Sequence, residues 1–174
     1  MDSYLESVMR YLIDGYNLAH ASGDLRGKVG PHGLERARLA LVARVAAGHD
    51  SPGDVTVVFD ARHAAGDKPS EENIQGIHVH YAVREEADDL IERLIRSDAT
   101  PKKLTVVSSD RRLKDAARRR GCIAMTSGEY LDWLDRPRTV VPTPEPPEKP
   151  EATTPEDAVQ WLEAFQAKRG KPNK

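Results

Sequence analysis

Three apolar segments of this 174-residue chain each end on an aspartate. Residues 11–13 lead into Asp14, residues 55–59 into Asp60, and residues 104–109 into Asp110. Such short runs, rich in β-branched and aromatic residues, predict buried β-strands. If these strands are parallel neighbours, their carboxyl ends lie side by side, where open α/β sheets bind their ligands. The sequence therefore predicts that several carboxylates share one cleft.

Helical patterns separate these strands and continue the alternation along the chain. Helices are predicted over residues 34–48, from residue 87 and over residues 111–120, with further strands over residues 77–83 and 122–125. This alternation predicts an α/β fold with a mostly parallel sheet and right-handed crossovers. We expect the strand order 3-2-1-4-5, with strands 1 and 4 adjacent. We also expect a turn at residues 15–17, an exposed glycine-rich loop over residues 22–33 and a short helix before the third strand.

The last part of the chain differs in composition from the rest. Thr126 and Glu129 have capping-box spacing, which predicts a final domain helix. Residues 136–154 contain six prolines and predict an extended linker. Residues 155–170 predict an accessory helix, whose apolar stripe needs the domain or a partner to cover it. The expected organisation is a domain over residues 10–135, a proline-rich linker and this helix.

Composition excludes several classes of protein. No apolar run approaches the length of a membrane span, about 20 residues, and the first ten residues have no secretory h-region. Cys122 is the only cysteine, so a disulfide framework within the chain is excluded and the cytoplasm is the expected compartment. The net charge of −2 permits a polyanionic partner without requiring one, because much of the acidity belongs to the predicted cleft.

Aspartates grouped at one sheet edge favour a bound cation. Two like charges about 4 Å apart repel by about 4 kcal/mol at an effective dielectric constant of about 20. Mg²⁺ or Mn²⁺ with oxygen ligands relieves that repulsion, and such ions support phosphodiester hydrolysis by activating water and neutralising phosphoryl charge. Asp14 and Asp110 are the leading ligand candidates, with Asp60 one strand away. Asp88 and Asp89 approach from the start of the helix that begins at residue 87.

Polar and basic neighbours of the predicted cleft are candidates for supporting roles. Asn17, three residues after Asp14, could orient a phosphate or a metal-bound water. Ser108 and Ser109 could donate hydrogen bonds to the carboxylates or to the waters of the ion. The candidate phosphate contacts are Arg26 and Lys28 on the glycine-rich loop and Arg111 and Arg112 beside the cleft.

A simpler interpretation exists for each acid taken alone. An aspartate after a strand commonly serves as a helix N-cap or a turn residue, and Asp110 could cap the helix that follows it. Acids over residues 85–89 favour a helix N-terminus by about 0.3–1 kcal/mol each. Four carboxylates within those five residues exceed what capping needs, however, and the separate acids converge on one predicted edge.

Four motifs occur in a fixed order along the chain. They are Ile-Asp-Gly-Tyr-Asn at 13–17, Val-Val-Phe-Asp-Ala at 57–61, Ala-Asp-Asp-Leu-Ile-Glu at 87–92 and Val-Ser-Ser-Asp at 107–110, followed by Met-Thr-Ser-Gly-Glu-Tyr-Leu at 125–131. As a set they resemble the YacP-type NYN domains of the PIN-like nuclease superfamily. The resemblance covers residues 10–135 and leaves the proline-rich linker and the final helix outside it.

The resemblance implies a three-layer α/β/α PIN-like fold and an Mg²⁺- or Mn²⁺-dependent endoribonuclease acting on single-stranded RNA. Some members of the group cleave mRNA on the translating ribosome. Carried over by motif, the core acids and metal ligands are Asp14, Asp88 and Asp110, and the supporting residues are Asp60, Asp89 and Asn17. Relatives often carry a threonine directly before Ala-Asp-Asp, where this chain has Glu86, so a supporting hydroxyl is in doubt.

Other α/β enzymes with aspartates at strand ends fit less well. Haloacid-dehalogenase-type phosphatases need Asp-x-Asp after the first strand, but here Asp14 is followed by Gly15 and Tyr16. The acid pair and lysine of receiver domains and the glycine-lysine motif of a P-loop do not occur. A PIN-like module that binds RNA or the ribosome without cutting remains an alternative. The acid set disfavours it, because a pure binder gains nothing from negative charge facing a polyanion.

Overall fold

The computed structural model describes residues 9–26, 31–61 and 70–136. Within these ranges the strands are β1 (Arg10–Asp14), β2 (Val55–Asp60), β3 (Glu71–Ile74), β4 (Ile77–Ala82), β5 (Leu104–Val107) and β6 (Ile123–Met125). The described helices are α1 (Gly15–Ser22), α2 (Pro31–Ala47), α3 (Ala87–Ser97), α4 (Arg111–Arg120) and α5 (Ser127–Leu134). Short 3₁₀ turns, Pro52–Asp54 and Pro101–Lys103, lead into β2 and β5.

The strands form one sheet in the order β3-β4-β2-β1-β5-β6. Neighbouring strands are parallel, except that β3 runs antiparallel to β4. Tyr11 of β1 pairs with Val55 of β2 on one side and with Thr105 of β5 on the other. The chain therefore reverses its direction of winding at β1, and the residues that follow β1, β2 and β5 lie along the same edge of the sheet.

Helices cover both faces of the sheet, because successive strand residues point to opposite faces. Ile13 and Phe59 belong to the core that the sheet forms with α1, α2 and α5. Leu12 and Val58, their neighbours in sequence, belong to the core formed with α3 and α4. The result is the three-layer α/β/α arrangement that the sequence predicts.

The strand order is confirmed for the five predicted strands, and the sheet has one strand more. β3 extends the sheet beyond β4, in the stretch where a short helix is expected from the sequence. Its sequence, Glu-Glu-Asn-Ile, shows no apolar alternation, so periodicity alone does not identify it. A two-residue turn produces the pairing, since Gln75 and Gly76 both have positive φ (53° and 87°) and such turns match the twist of a hairpin.

The segment after β1 also differs from the prediction. Residues 15–17 do not form an isolated turn; they are the first turn of α1, which Asp14 caps. α1 ends at Gly23, whose φ is 79°, and α2 begins at Pro31 instead of at residue 34. The described part of the predicted loop is therefore mostly helix end and turn, and residues 27–30 lie outside the described residues.

The described residues all belong to one compact unit that ends at Arg136. Near its end, Thr126 and Glu129 form the predicted capping box at the start of α5. The predicted linker, apart from Arg136 itself, and the predicted helix over residues 155–170 lie outside the described residues. Among the described helices, none has the length and apolar character needed to cross a bilayer.

The start of α1 packs very closely against β2. A Cβ atom on Gly15 would lie 2.4 Å from Cε1 of Phe59, far inside van der Waals contact. The Phe59 ring is fully buried and also packs edge-on against Tyr16, with the ring centroids 5.4 Å apart. Glycine at position 15 therefore lets the helix begin directly at the end of β1, which fixes Asp14 at the sheet edge.

We expect Gly15→Ala to lower the free energy of unfolding by about 1–3 kcal/mol, because the added methyl group overpacks a rigid aromatic contact. Urea denaturation of the two proteins measures the difference. Gly128→Ala is the matched control: it also lies in the first turn of a helix, but a Cβ there meets no atom within 4 Å. Equal stability of Gly15→Ala and the unmodified protein would contradict the close packing described.

Candidate active site

Asp14 lies at the centre of the carboxyl edge of the sheet. Its Oδ1 accepts a hydrogen bond from the backbone N–H of Asn17 at 3.2 Å, and its Oδ2 accepts one from the hydroxyl of Ser108 at 3.0 Å. The residue is only 9% exposed. Contacts from two elements therefore fix the orientation of this carboxylate, as expected of a residue that must present charge in one direction.

Ser108 connects Asp14 to the second acid of the edge. The serine is fully buried directly after β5, and its Oγ also accepts a hydrogen bond from the backbone N–H of Asp110 at 3.0 Å. Asp110 then caps α4, because its Oδ1 accepts hydrogen bonds from the backbone N–H groups of Arg112 (2.7 Å) and Leu113 (3.2 Å). Asp110 therefore both caps α4 and belongs to the group of acids at the sheet edge. Burial places Ser108 behind the carboxylates, where it supports them and does not face a substrate.

Asp88 brings a third carboxylate to this edge from the first turn of α3. Burial is the largest cause of the raised pKa of Asp14, and the negative charges of Asp88 and Asp110 raise it further. The pKa of Asp88 is raised as well, first by burial and then by the charge of Asp110, while Arg112 acts in the opposite direction. These three carboxylates therefore interact across one cleft, which is the convergence that the sequence predicts.

This donor set suits a hard divalent cation, since a shared positive charge would offset the negative charges that raise the pKa values of Asp14 and Asp88. In the described part of the chain, however, no three His, Cys, Asp or Glu side chains are arranged to hold a metal ion together. The hydrogen bonds to Asp14 and Asp110 turn their oxygens toward backbone and serine donors. The site is therefore a cluster of interacting acids and not a closed cage. Mg²⁺ sites commonly have this form, with one or two carboxylates completed by waters and substrate phosphates.

Asp89, the neighbour of Asp88, has a different environment. Arg112 donates to Oδ1 of Asp89 and to Oε1 of Glu92, both at 2.6 Å. These contacts join α3 to α4 across the mouth of the cleft. Asp89 and Arg112 therefore lie beside the acid cluster as parts of an interhelical brace, although the sequence suggests a supporting acid and a phosphate contact.

Asn17 ties three elements together next to Asp14. Its Oδ1 accepts hydrogen bonds from the backbone N–H of Ser109 at 2.9 Å and from the hydroxyl of Ser127 at 2.7 Å. The backbone N–H of Ser127 in turn donates to Oγ of Ser109 at 3.3 Å. Ser127 is fully buried, and sequence reasoning missed it. In the sequence, Ser127 is marked only by its position within the capping box of residues 126–129, and that motif predicts the helix start and not a role for Ser127.

Asp60 ends β2 on the same edge but belongs to a neighbouring cluster. Burial is the largest cause of the raised pKa of Tyr16, Arg38 opposes the shift, and the charge of Asp60 adds to it. Arg38 is 8% exposed, donates from Nε to the Tyr16 hydroxyl at 2.8 Å, and lies over the rings of Tyr16, Phe59 and Tyr81 at 5.4–5.9 Å. Sequence reasoning missed Arg38; its signal is a charged residue on the apolar face of α2.

The remaining basic candidates lie at the surface or outside the described residues. Arg26 is exposed at the end of the turn that follows α1. Arg111 is exposed at the start of α4, 3.8 Å from Asp115. Lys28 lies in the stretch 27–30, outside the described residues. Arg26 and Arg111 are thus available to a ligand at the surface.

A Rossmann-like sheet with acids from β1, α3 and the β5–α4 junction at its carboxyl edge is characteristic of the PIN-like nuclease superfamily. The sequence model of the YacP-like NYN domain matches residues 11–163, and the chain belongs to this family. The match continues past residue 135, so the family's sequence pattern extends through the proline-rich stretch that the resemblance leaves out.

Two crystal structures of Rae1 (YacP) from Bacillus subtilis are similar to this chain. One, of a point mutant, has a TM-score of 0.57 and 26% identity, and the alignment covers 73% of this chain and 75% of that one. The other has a TM-score of 0.56 and 24% identity, covering 91% of this chain and 80% of that one, and at that identity it supports the fold alone. No curated protein matches the chain.

The raised pKa of Asp14 predicts that the ionised residue destabilises the fold. In metal-free buffer at neutral pH, we expect Asp14→Asn to raise the free energy of unfolding by about 0.5–2 kcal/mol. Asparagine keeps the N-cap acceptor while removing the buried charge. Because the folded protein holds the Asp14 proton more tightly than the unfolded chain, stability falls as pH rises through the raised pKa, so the gain should vanish below the ordinary pKa of about 3.9.

Urea titrations of both proteins with EDTA, at acidic and neutral pH, measure this gain. Asp115→Asn, at an exposed position on α4, is the control for loss of a surface charge. An Asp14→Asn protein that is less stable at neutral pH than the unmodified protein would show that burial does not penalise the charge.

Proposed function

We propose that this protein is a metal-dependent endoribonuclease that hydrolyses phosphodiester bonds in single-stranded RNA. The observation that carries the proposal is the mutual electrostatic interaction of Asp14, Asp88 and Asp110, three acids from separate elements at one sheet edge. Membership of the YacP-like NYN family supports RNA as the substrate class. Target mRNA and association with a ribosome are extensions of the same proposal, supported by the family resemblance, and a cytoplasmic location is proposed from the single cysteine.

Asp14, Asp88 and Asp110 are the residues that would hold the ion, Mg²⁺ or Mn²⁺. When bound, such an ion supplies an activated water and neutralises charge on the phosphoryl group. The protein itself fixes the positions of the acids. Ser108 orients Asp14 and receives the backbone N–H of Asp110, so the two acids keep a fixed relation to each other.

The groups around the acids would orient the RNA strand and exclude unproductive geometries. Asn17 has its Oδ1 engaged by Ser109 and Ser127, which fixes the amide plane and leaves the Nδ2 donors to face a phosphate oxygen. Arg26 and Arg111 are exposed cations at the surface, suited to phosphates on either side of the cut. Lys28 is proposed for the same role from its place in the sequence.

The neighbouring residues Asp88 and Asp89 provide the sharpest test. We expect Asp88→Asn to lower the rate of RNA cleavage at least about 100-fold, because it removes one of the three interacting acids. Asp89→Asn should keep more than about a tenth of the activity, because the hydrogen bond of Asp89 is to Arg112 and its charge is the smallest influence on the pKa of Asp88. Cleavage of a labelled single-stranded RNA with Mn²⁺ measures both, and circular dichroism verifies folding.

The same assay decides between a nuclease and a module that only binds RNA. Asp14→Asn and Asp110→Asn should each abolish cutting, EDTA should do the same to the unmodified protein, and added Mn²⁺ should restore it. Asp115→Asn on the same helix as the Asp110 cap is the matched control and should cut normally. RNA binding without cleavage by the unmodified protein would support the binding module, and undiminished cutting by both mutants would refute the assignment of the acids.

We also propose that the C-terminal stretch is accessory to the chemistry. Removal of residues 137–174 should leave cleavage of a short free RNA within about threefold of the full chain, since the proposed acids all precede Arg136. The kcat and KM of the two proteins on the same oligonucleotide give the comparison. Loss of cleavage in a truncated protein that remains folded would place an essential group beyond residue 136.

A further inference from the structure

A recess of about 430 Å³ lies beside the acid cluster and takes no part in the site described so far. It lies between α3 and the open end of the β3–β4 hairpin, where β3 begins and β4 ends. Its apolar lining includes Ala82 and Leu90, which are almost fully buried, and Val83, which is 41% exposed; most of the other lining side chains are polar or charged. The volume is within the range of ligand pockets, about 300–1,000 Å³.

The recess exists because the helical layer does not extend to the edge of the sheet. α3 packs its buried residues, among them Leu90 and Ile91, in the core with Leu12 of β1 and Val58 of β2. The β3–β4 hairpin extends the sheet beyond that core. The side chains of the hairpin that face α3 are therefore only partly covered by the helix. An exposed valine at this place leaves a large apolar side chain open to solvent.

The rim of the recess carries a mixed set of polar groups. His80 is half-buried, and its Nδ1 lies 3.6 Å from Oε1 of Glu71. Arg93 donates to Oε1 of Glu85 at 2.6 Å. Arg84 is exposed next to Val83 and forms no ion pair with another described residue. Burial lowers the pKa of His80 below its usual value, so the imidazole is neutral at physiological pH and offers one donor and one acceptor.

We propose that this recess binds one unstacked base of the RNA substrate, and that the base it prefers carries an exocyclic amino group. The inference rests on the proposed function and adds a specificity site to it. The apolar side chains of Ala82, Val83 and Leu90 suit the flat face of a base, and the polar groups around them suit its polar edge. A carboxylate such as Glu71 only accepts hydrogen bonds, which favours the amino group of cytosine or adenine over the carbonyl oxygens of uracil.

Charge and position support a base more than a phosphate. Two glutamates (Glu71 and Glu85) and two arginines (Arg84 and Arg93) balance the formal charge of the recess, so it offers a phosphate no net attraction, and an uncharged base needs none. Arg84 lies four residues before Asp88, so their Cα atoms are at most about 14 Å apart. A strand whose phosphate lies at Asp88 can therefore reach the recess within a few nucleotides, and Arg84 at the rim of the recess is available to contact its backbone.

Binding of RNA in EDTA tests the recess without cleavage. The ligands are fluorescent uridine oligonucleotides of about 12 nucleotides, with or without a single cytidine or adenosine, and fluorescence anisotropy gives the affinity. We expect the substituted oligonucleotides to bind more tightly, and His80→Ala and Arg84→Ala to weaken their binding by about tenfold. The matched controls are His78→Ala, two residues earlier on the same face of β4, and Arg96→Ala at the far end of α3; both should bind like the unmodified protein.

Sequencing the ends of a cleaved randomised RNA tests the same recess through specificity. The unmodified protein should disfavour uridine at one position a fixed distance from the cut, and Glu71→Gln should remove that preference while leaving the other positions unchanged. Equal affinities and equal profiles for the unmodified protein and all recess variants would overturn the inference, as would equal losses in the His78 and Arg96 controls. A protein that never cuts RNA but shows the expected binding losses would refute the nuclease and keep the base site.

Discussion

The hydroxyl of Ser108 contacts two carboxyl-bearing residues from neighbouring strands, and the acidic edge depends on that contact. One hydroxyl donates to Asp14 and accepts from the backbone of Asp110, so the end of β1 and the start of α4 cannot shift independently. The contact exists only because β1 and β5 are adjacent and parallel, which places the carboxyl ends of both strands at the same edge of the sheet. The order of the strands in the sheet therefore determines which residues meet in the site.

The same aspartates perform a local and a global task. Asp14 caps α1 and Asp110 caps α4, which supplies the partners that buried carboxylates need. Each cap also turns one carboxylate oxygen into the protein and fixes the side chain, so the like charges remain near each other despite their repulsion. Burial raises the pKa of Asp14, so its charge at neutral pH costs the fold free energy, and perturbed carboxylates of this kind cluster at functional sites.

How much of this could be predicted from the sequence depends on the range of the interactions involved. Strand-end aspartates and alternating helices are local patterns, and they correctly predicted five strands, their order and the approach of Asp14, Asp88 and Asp110. β3 escaped prediction because its pairing is produced by a turn at Gln75 and Gly76 and not by its own apolar pattern. Ser127 and Arg38 escaped because their importance comes from distant partners, Asn17 and the rings around Tyr16. The structure was also needed to distinguish Asp88, which interacts with Asp110, from Asp89, which pairs with Arg112. Adjacent residues on a helix point in different directions, and the packing of α4 decides which of them faces the other acids.

Arg112 is the residue through which the cleft can respond to what enters it. Its guanidinium bridges Asp89 and Glu92 of α3 from the first turn of α4, with half of its side chain exposed to solvent. Surface ion pairs of this kind contribute little to stability, so the contact sets a spacing more than it holds the fold together. A polyanion arriving at the mouth competes for the same guanidinium. Such competition would break the ion pairs of Arg112 while the shared core keeps α3 packed against α4, so the change would be confined to the side chains at the mouth of the cleft.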